Sequence, residues 1–456
     1  MDDRLKGRFM TNDLNPKTDP KHEGRVIVTY GRSLMALVIA HSLHKRGVEV
    51  ITCDSVGLTA GSFSRYSAHN FVHADYEKDE EGFIQDLLKA VLKHKPVDER
   101  PYILMPTFRE AKVLALHKHR FEGLITLAVA DIEAIDKVDP KQNLVKTLDG
   151  LDVPAPKTWH PHTRDEVRAV MAEIKMPALI KAVDEVGGRG IEFFDDPKEM
   201  QTRALQRVGM ENPPPLLQEG AKGEDYCVCV LYKDGQLRAH MAYHNVQNMP
   251  VAGGSGAMRE TVDDAPFLRA ANALMDHVGW HGVAEIDFMW DPDSFDQPKL
   301  IEVNPRFWAG LFQSVESGVD FPWLVYHLFA YGDVPAGEEV EGEVGAKTRV
   351  PGAWAAGAFA DALDGIDTKG AGKAWDNMVW ELEKGEPKAA FKSFAEAVDK
   401  VTDFDEAFHI LKQRFGLSKG AKSEIDLHDD PMSAFGVLFV LSSLVRHGEL
   451  PHELKG

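Results

Sequence analysis

Two apolar runs that carry polar residues on a two-residue period constrain this chain most. They are Val283-Ala284-Glu285-Ile286-Asp287-Phe288-Met289 and Leu300-Ile301-Glu302-Val303-Asn304-Pro305-Arg306. Successive side chains of a strand point to opposite faces, so Glu302, Asn304 and Arg306 are expected on one face, with Ile301 and Val303 directed into a core. The intervening residues, Asp291-Pro292-Asp293-Ser294-Phe295-Asp296-Gln297-Pro298, are turn formers, and a hairpin across them sets Asp287 beside Glu302. Two carboxylates and an amide facing one way suit a magnesium ion that also takes phosphate oxygens. A hairpin edge that merely faces water does not usually alternate Glu, Asn and Arg with aliphatic residues in this way.

The pair of runs resembles the closing signature of the ATP-grasp ligases, the superfamily of biotin carboxylase, carbamoyl-phosphate synthetase and D-alanine ligase. Elements similar to the rest of that family lie upstream in order. Pro177-Ala178-Leu179-Ile180-Lys181 is an apolar strand ending in a lysine. Val186-Gly187-Gly188-Arg189-Gly190-Ile191 resembles the phosphate-covering loop, in which Gly187, Gly188 and Gly190 let the backbone approach phosphates closely. The resemblance places Lys181 on the α- or β-phosphate of ATP and makes Lys137, in Ile135-Asp136-Lys137-Val138, the second nucleotide lysine. Leu216 to Tyr226 resembles the hinge, which implies Gln218 and the backbone of Glu219 and Gly220 at the adenine edge and Glu224 at the ribose. Family members often carry Glu where this chain has Gln218. The glycine-dense run from Pro250 to Thr261 contains Arg259, implied as a clamp on the transferring phosphoryl group, and Arg306 is implied on the acyl phosphate or substrate carboxylate. A guanidinium offers paired donors to such oxygens. Asp287, Glu302 and Asn304 are the implied ligands of magnesium, or of manganese in its place.

Length and composition agree with a globular protein. The 456 residues can hold two or three domains, and 44% hydrophobic with 27% charged residues is ordinary. A net charge of −20 opposes nonspecific nucleic-acid binding, which needs dense cationic contacts. Cys53, Cys227 and Cys229 form neither a metal quartet nor an even disulfide set, which reads as buried reduced thiols in the cytoplasm. No apolar run is long enough to span a membrane, and the charged start, with Asp2, Asp3, Arg4 and Lys6, does not read as a signal peptide.

The expected fold class is α/β. After a polar segment, 1–24, a doubly wound parallel-sheet domain is expected over 25–130. It opens with a strand at Arg25–Tyr30, a helix from Ser33 to Arg46 and a strand at Val48–Asp54. The turn Tyr30-Gly31-Arg32-Ser33 lacks the full Gly-x-Gly-x-x-Gly pattern, so dinucleotide binding is not expected there. Arg65, Tyr66, Thr107, Arg109 and Glu110 fall in loops at strand ends, where ligands often sit. The resemblance implies a two-lobed ATP-grasp domain over 131–332. A Gly/Glu-rich linker, 333–345, and a mainly helical region, 346–456, follow. Its apolar stretch Ser433–Leu441 is expected to dock on the main body or on a second copy in a homodimer.

By resemblance, the function is that of an ATP-dependent carboxylate-amine ligase. A small-molecule carboxylate takes the γ-phosphoryl group, an amine attacks the acyl phosphate, and ADP and phosphate leave. Two alternatives stay open: a bicarbonate- or carbamate-using enzyme of the carbamoyl-phosphate synthetase type, made less favourable by the single nucleotide unit, and a silent ATP-binding module. On this reading, Glu302→Gln removes turnover with little effect on folding, because that carboxylate has no apolar packing role.

Overall fold

The computed structural model describes residues 22–183, 190–248, 256–294, 296–338 and 340–350, with a few positions from 377 to 433 that include 420–424, 430, 432 and 433. The expectations for 1–21, for Gly187 and Gly188, and for most of the C-terminal region lie outside these residues.

The chain opens with β1 (Gly24–Val28), α1 (Leu34–Lys45), β2 (Val48–Asp54), α2 (Ala60–Phe63), β3 (Ser67–Val72), α3 (Glu80–Lys93), β4 (Tyr102–Met105), α4 (Glu110–Leu116) and β5 (Thr126–Leu127). The five strands form a parallel sheet in the order β3-β2-β1-β4-β5. Every residue of β1 and β2 is buried, as in a parallel sheet covered on both faces, and the charged Arg25 and Glu49 are buried as a pair. Helix α1 starts where the Ser33 hydroxyl accepts from the Ala36 N–H at 3.1 Å, and the chain leaves it through Gly47 at φ +77°. The expected strand-helix-strand unit is therefore present.

Helices α5 (Ile132–Val138) and α6 (Lys141–Leu148) lead into a small lobe of β6 (Thr158–Trp159), α7 (Arg164–Met171), β7 (Ala178–Lys181), β8 (Ile191–Phe194), α8 (Pro197–Val208) and β9 (Leu216–Glu219). Its strands run in the order β6-β9-β7-β8. The lobe has its own core of eight buried residues, among them Val167, Ile180, Met200 and Leu217.

A larger sheet follows. It contains β10 (Glu224–Lys233), β11 (Gln236–Asn248), β12 (Gly256–Val262), β13 (Gly282–Trp290) and β14 (Lys299–Asn304), with α9 (Ala265–Val278) between β12 and β13. Helices α10 (Leu311–Glu316) and α11 (Phe321–Tyr331) and the short strands β15 (Lys347–Arg349) and β16 (Lys422–Ser423) complete it, in the order β14-β13-β10-β11-β12-β15-β16. Two glycines permit the passage from small lobe to large sheet. A Cβ at Gly220 would lie 2.8 Å from the Pro177 carbonyl oxygen, and Gly223, at φ +105°, would place one 2.1 Å from the Trp290 carbonyl.

One face of the large sheet packs Val228, Ile286 and Phe288 against Phe267 and Leu274 of α9. The other packs Cys229, Met241 and Tyr243 into a core shared with Val28 and Met105 of the N-terminal sheet and with Trp308. Helix α11 returns to α1, where Arg46 pairs with Asp320 at 2.7 Å and the Ser42 hydroxyl donates to Asp320 at 2.6 Å. Residues 340–350 run along the large sheet: the His240 N–H donates to the Val340 carbonyl at 2.8 Å, and β15 pairs with β12.

Candidate active site

The strand register builds the site. β13 and β14 pair antiparallel with Asp287 opposite Glu302 and Glu285 opposite Asn304. The expected hairpin thus brings Asp287 beside Glu302. A bulge follows Asp287, because Phe288 pairs with Leu300 and leaves Ile301 extra. The extra residue shifts the alternation, so Ile301 does not enter the core as expected; it is half-buried and lines a cleft. On β10, Cys227 lies opposite Asp287 and Cys229 opposite Glu285, and Asp225 shares their face by alternation. Asp225, Glu285, Asp287, Glu302 and Asn304 therefore converge. Sequence reasoning missed Asp225 and Glu285, although the two-residue period of Glu285-x-Asp287 was a signal for the second.

The Asn304 amide donates to Asp287 Oδ2 at 3.0 Å and to Glu285 Oε2 at 3.4 Å, while the Tyr243 hydroxyl donates to Glu285 Oε1 at 2.8 Å. Asp287 Oδ1 is buried without a hydrogen-bond partner. Burial, reinforced by Glu285, Asp225 and Glu302, drives the Asp287 carboxyl well above the usual carboxylate range. Burial, with Glu285 and Glu302, likewise pushes Asp225 up to about 6. Carboxylates crowded this way resist ionisation together, and a hard dication would relieve the repulsion and use the orphaned oxygen. Cys227 lies within 4.8 Å of the Asp225 and Asp287 oxygens. Burial holds its thiol well above its ordinary pKa, leaving oxygen as the donor set that fits magnesium.

The raised Asp225 value has a stability consequence. The folded state binds this proton more tightly than the unfolded chain, so stability falls as pH rises from the ordinary carboxylate range through about 6. Asp225 is exposed at the strand end, so solvent screens much of this effect. Asp225→Asn is expected to melt slightly above the parent near about pH 8, with the gain fading towards about pH 5. Melting curves across that range check it, and a gain that does not change with pH would place the effect elsewhere.

Two ammonium groups flank Glu302. Lys181, at the end of β7 and 6% exposed, lies 3.8 Å from Glu302 Oε2, and Lys141, at the start of α6 and 9% exposed, lies 3.0 Å from Oε1. Burial opposes ionisation of Glu302, but Lys181 and Lys141 outweigh it and hold the carboxyl below its usual range. Burial lowers the Lys181 pKa despite Glu302. Both lysines line a cleft of about 500 Å³ between the small lobe and the large sheet, walled by Leu144, Val153, Leu216, Gln218 and Ile301. That size suits a small-molecule ligand. Lys137, the expected second nucleotide lysine, is exposed on α5 and does not line this cleft, whereas Lys141, four residues on, does.

The remaining candidates are dispersed. Gln218 lines the cleft and donates to the Thr158 hydroxyl at 2.8 Å. The Glu219 and Gly220 N–H groups donate to Lys157 and Pro177 carbonyls within the small lobe, at 3.0 and 2.8 Å. Glu224 is exposed, 3.4 Å from His244 Nδ1. Gly190 turns the chain at φ +70° before β8. Arg306 donates to Asn304 Oδ1 at 3.0 Å and lies 4.6 Å over the Phe108 ring, so it touches both the polar cluster and the N-terminal domain. Arg259 is not brought into the cleft: its side chain is 2% exposed and pairs with Glu424. Of the N-terminal candidates, Tyr66, Thr107 and Glu110 are buried, Glu110 accepting from the Thr107 and Phe108 N–H groups at 3.1 Å, whereas Arg65 is exposed.

Residues 211–349 match the family model described as ATP-grasp in the biosynthetic pathway with Ter operon. The C-terminal section of the carbamoyl phosphate synthase large chain from Methanopyrus kandleri is 22% identical over 250 residues, 52% of this chain and 45% of that relative. The chain thus spans under half of that relative's length. Biotin carboxylase from Campylobacter jejuni superposes with a TM-score of 0.57 at 14% identity, covering 71% of this chain and 74% of its own. L-amino acid ligase from Bacillus licheniformis gives 0.51 at 16% identity, covering 68% and 75%. Residues 211–349 thus carry an ATP-grasp family match, and the chain shares the two-lobed fold of these solved structures.

Proposed function

We propose that this chain is an ADP-forming carboxylate-amine ligase. The observation that carries the reading is that Lys141 and Lys181, which line one cleft, both meet Glu302, and that Glu302 in turn lies opposite Asp287 on the strand that carries Asn304. Two cations beside two metal-type carboxylates suit the phosphates of ATP. The apolar wall of Leu144, Val153, Leu216 and Ile301, with Gln218, would take the base.

Asp287, Glu302 and Asn304, joined by Glu285 and Asp225, would hold magnesium. When bound, magnesium supplies charge neutralisation between phosphate oxygens and the incoming carboxylate. Lys181 and Lys141 would orient the phosphates and stabilise charge on the leaving ADP. Arg306, fixed by Asn304 and Phe108, would align the acceptor carboxylate. The carboxylate oxygen forms a bond to the γ-phosphorus as the bond to ADP breaks. The amine then attacks the acyl carbon and releases phosphate, its proton passing to a carboxylate or to that phosphate.

The carbamoyl phosphate synthase relatives favour a second reading, with bicarbonate as the acceptor. ADP release with ATP and magnesium, screened over pooled carboxylic acids with and without pooled amines, separates the two. The ligase reading expects release that needs both an acid and an amine. Release with bicarbonate alone favours the second reading, and binding of ATP without release under any condition sinks both.

A further inference from the structure

The polar stripe does not stop at Tyr243. Register continues the same sheet face from Asp287 through Cys227 and Tyr243 to Thr261, and Arg259, two residues earlier on β12, lies opposite Thr348 of β15. Arg259 thus points into the side of the sheet that carries the carboxylates. Its guanidinium lies 6.0 Å over the Tyr243 ring, and the Tyr243 hydroxyl donates to Glu285. Beyond it, β16 runs parallel to β15, and the Glu424 N–H donates to the Arg349 carbonyl at 3.0 Å. This fixes the Glu424 carboxylate on Arg259, with the Thr348 hydroxyl donating to it at 3.3 Å. The Arg259 and Glu424 side chains are each 2% exposed.

A guanidinium enclosed in this way requires a carboxylate, because leaving one buried charge unpaired is strongly unfavourable. Glu285 is the site carboxylate in line with it through Tyr243. We propose that Glu424 is a positioning residue for the metal-binding carboxylates: by holding Arg259 it keeps that guanidinium from turning onto Glu285, so that Glu285 stays available to a divalent cation. Glu424 lies outside the stretch matched by the family model, 211–349. The inference rests on the proposed magnesium-nucleotide site and adds to it a segment remote in sequence.

The test is calorimetric ATP binding to the full chain with and without magnesium, which needs no acceptor substrate. The parent is expected to bind ATP more tightly with magnesium. Glu424→Gln is expected to reduce that gain about tenfold or more, the range for groups that orient metal ligands, while metal-free ATP affinity stays within about twofold. Adding Arg259→Met to Glu424→Gln removes the stray guanidinium and is expected to restore the gain to within about twofold. A purely structural role for Glu424 would instead lower metal-free ATP affinity together with the gain. A Glu424→Gln variant that keeps the full gain, or a double variant as weak as the single, overturns the inference and leaves the nucleotide site standing. A parent with no magnesium-dependent gain overturns both. Should Glu424→Gln not fold, Arg259→Met alone decides: a retained gain supports the inference, and a lost gain makes Arg259 itself a nucleotide or metal contact and overturns it.

Discussion

Glu302→Gln is expected to lower ATP turnover on the order of 10²- to 10³-fold, the range for removing one preorganised charge from a phosphoryl-transfer site. It is also expected to cost stability, which the sequence alone did not suggest. Glu302 is the counter-charge of Lys141 at 3.0 Å and of Lys181 at 3.8 Å, both nearly buried. A neutral amide leaves two desolvated ammonium groups facing each other. The Glu302 side chain is 23% exposed, so solvent softens the penalty to about 2 kcal/mol, or roughly 2 °C in melting temperature for a chain of this size. Turnover with and without magnesium, together with a melting curve, checks both parts. Unchanged turnover in a folded variant would remove Glu302 from the metal site.

Lys181→Met is expected to weaken ATP about ten- to hundredfold, since a charge-assisted hydrogen bond contributes about 1.5–3 kcal/mol. Here stability should not fall. Burial already lowers the Lys181 pKa, a sign that its charge is held at a cost, and Glu302 keeps Lys141 at 3.0 Å when Lys181 is gone. Lys141→Met should also weaken ATP, whereas Lys137→Met should leave affinity unchanged, because Lys137 is exposed and away from the cleft. Calorimetry on the three variants decides among the lysines. Equal affinity for Lys181→Met and the parent would take that lysine out of the phosphate site.

The legible parts of this protein were those set by local periodicity. The β13–β14 hairpin and the β1-α1-β2 unit follow from alternation, turn formers and a helix cap. What the sequence hid depended on partners far along the chain. Lys137 and Lys141 are both lysines at the margin of a helix, and only the placement of α6 against β14 shows which one reaches Glu302. Arg259 stands in a glycine-dense run that reads as a phosphate contact, yet its carboxylate arrives from Glu424, 165 positions later. Asp225 reads as a strand-end acid until the register sets it near Asp287. The bulge at Ile301 broke the alternation that would have sent that side chain inward.

The division of the cores carries a mechanical consequence. The N-terminal sheet and the large sheet share two buried clusters, and Leu144 of α6 belongs to one of them, whereas the small lobe keeps a separate core of eight residues. The described residues thus pack as two bodies, a larger frame and a smaller flap connected near Pro154 and Gly220, and separate cores are what allows such bodies to move against each other. Lys141 is anchored in the frame and Lys181 rides on the flap, yet both meet Glu302. Swinging the flap outward pulls one ammonium group away from the other, and a polyanion gripped by both would work as a latch across the seam.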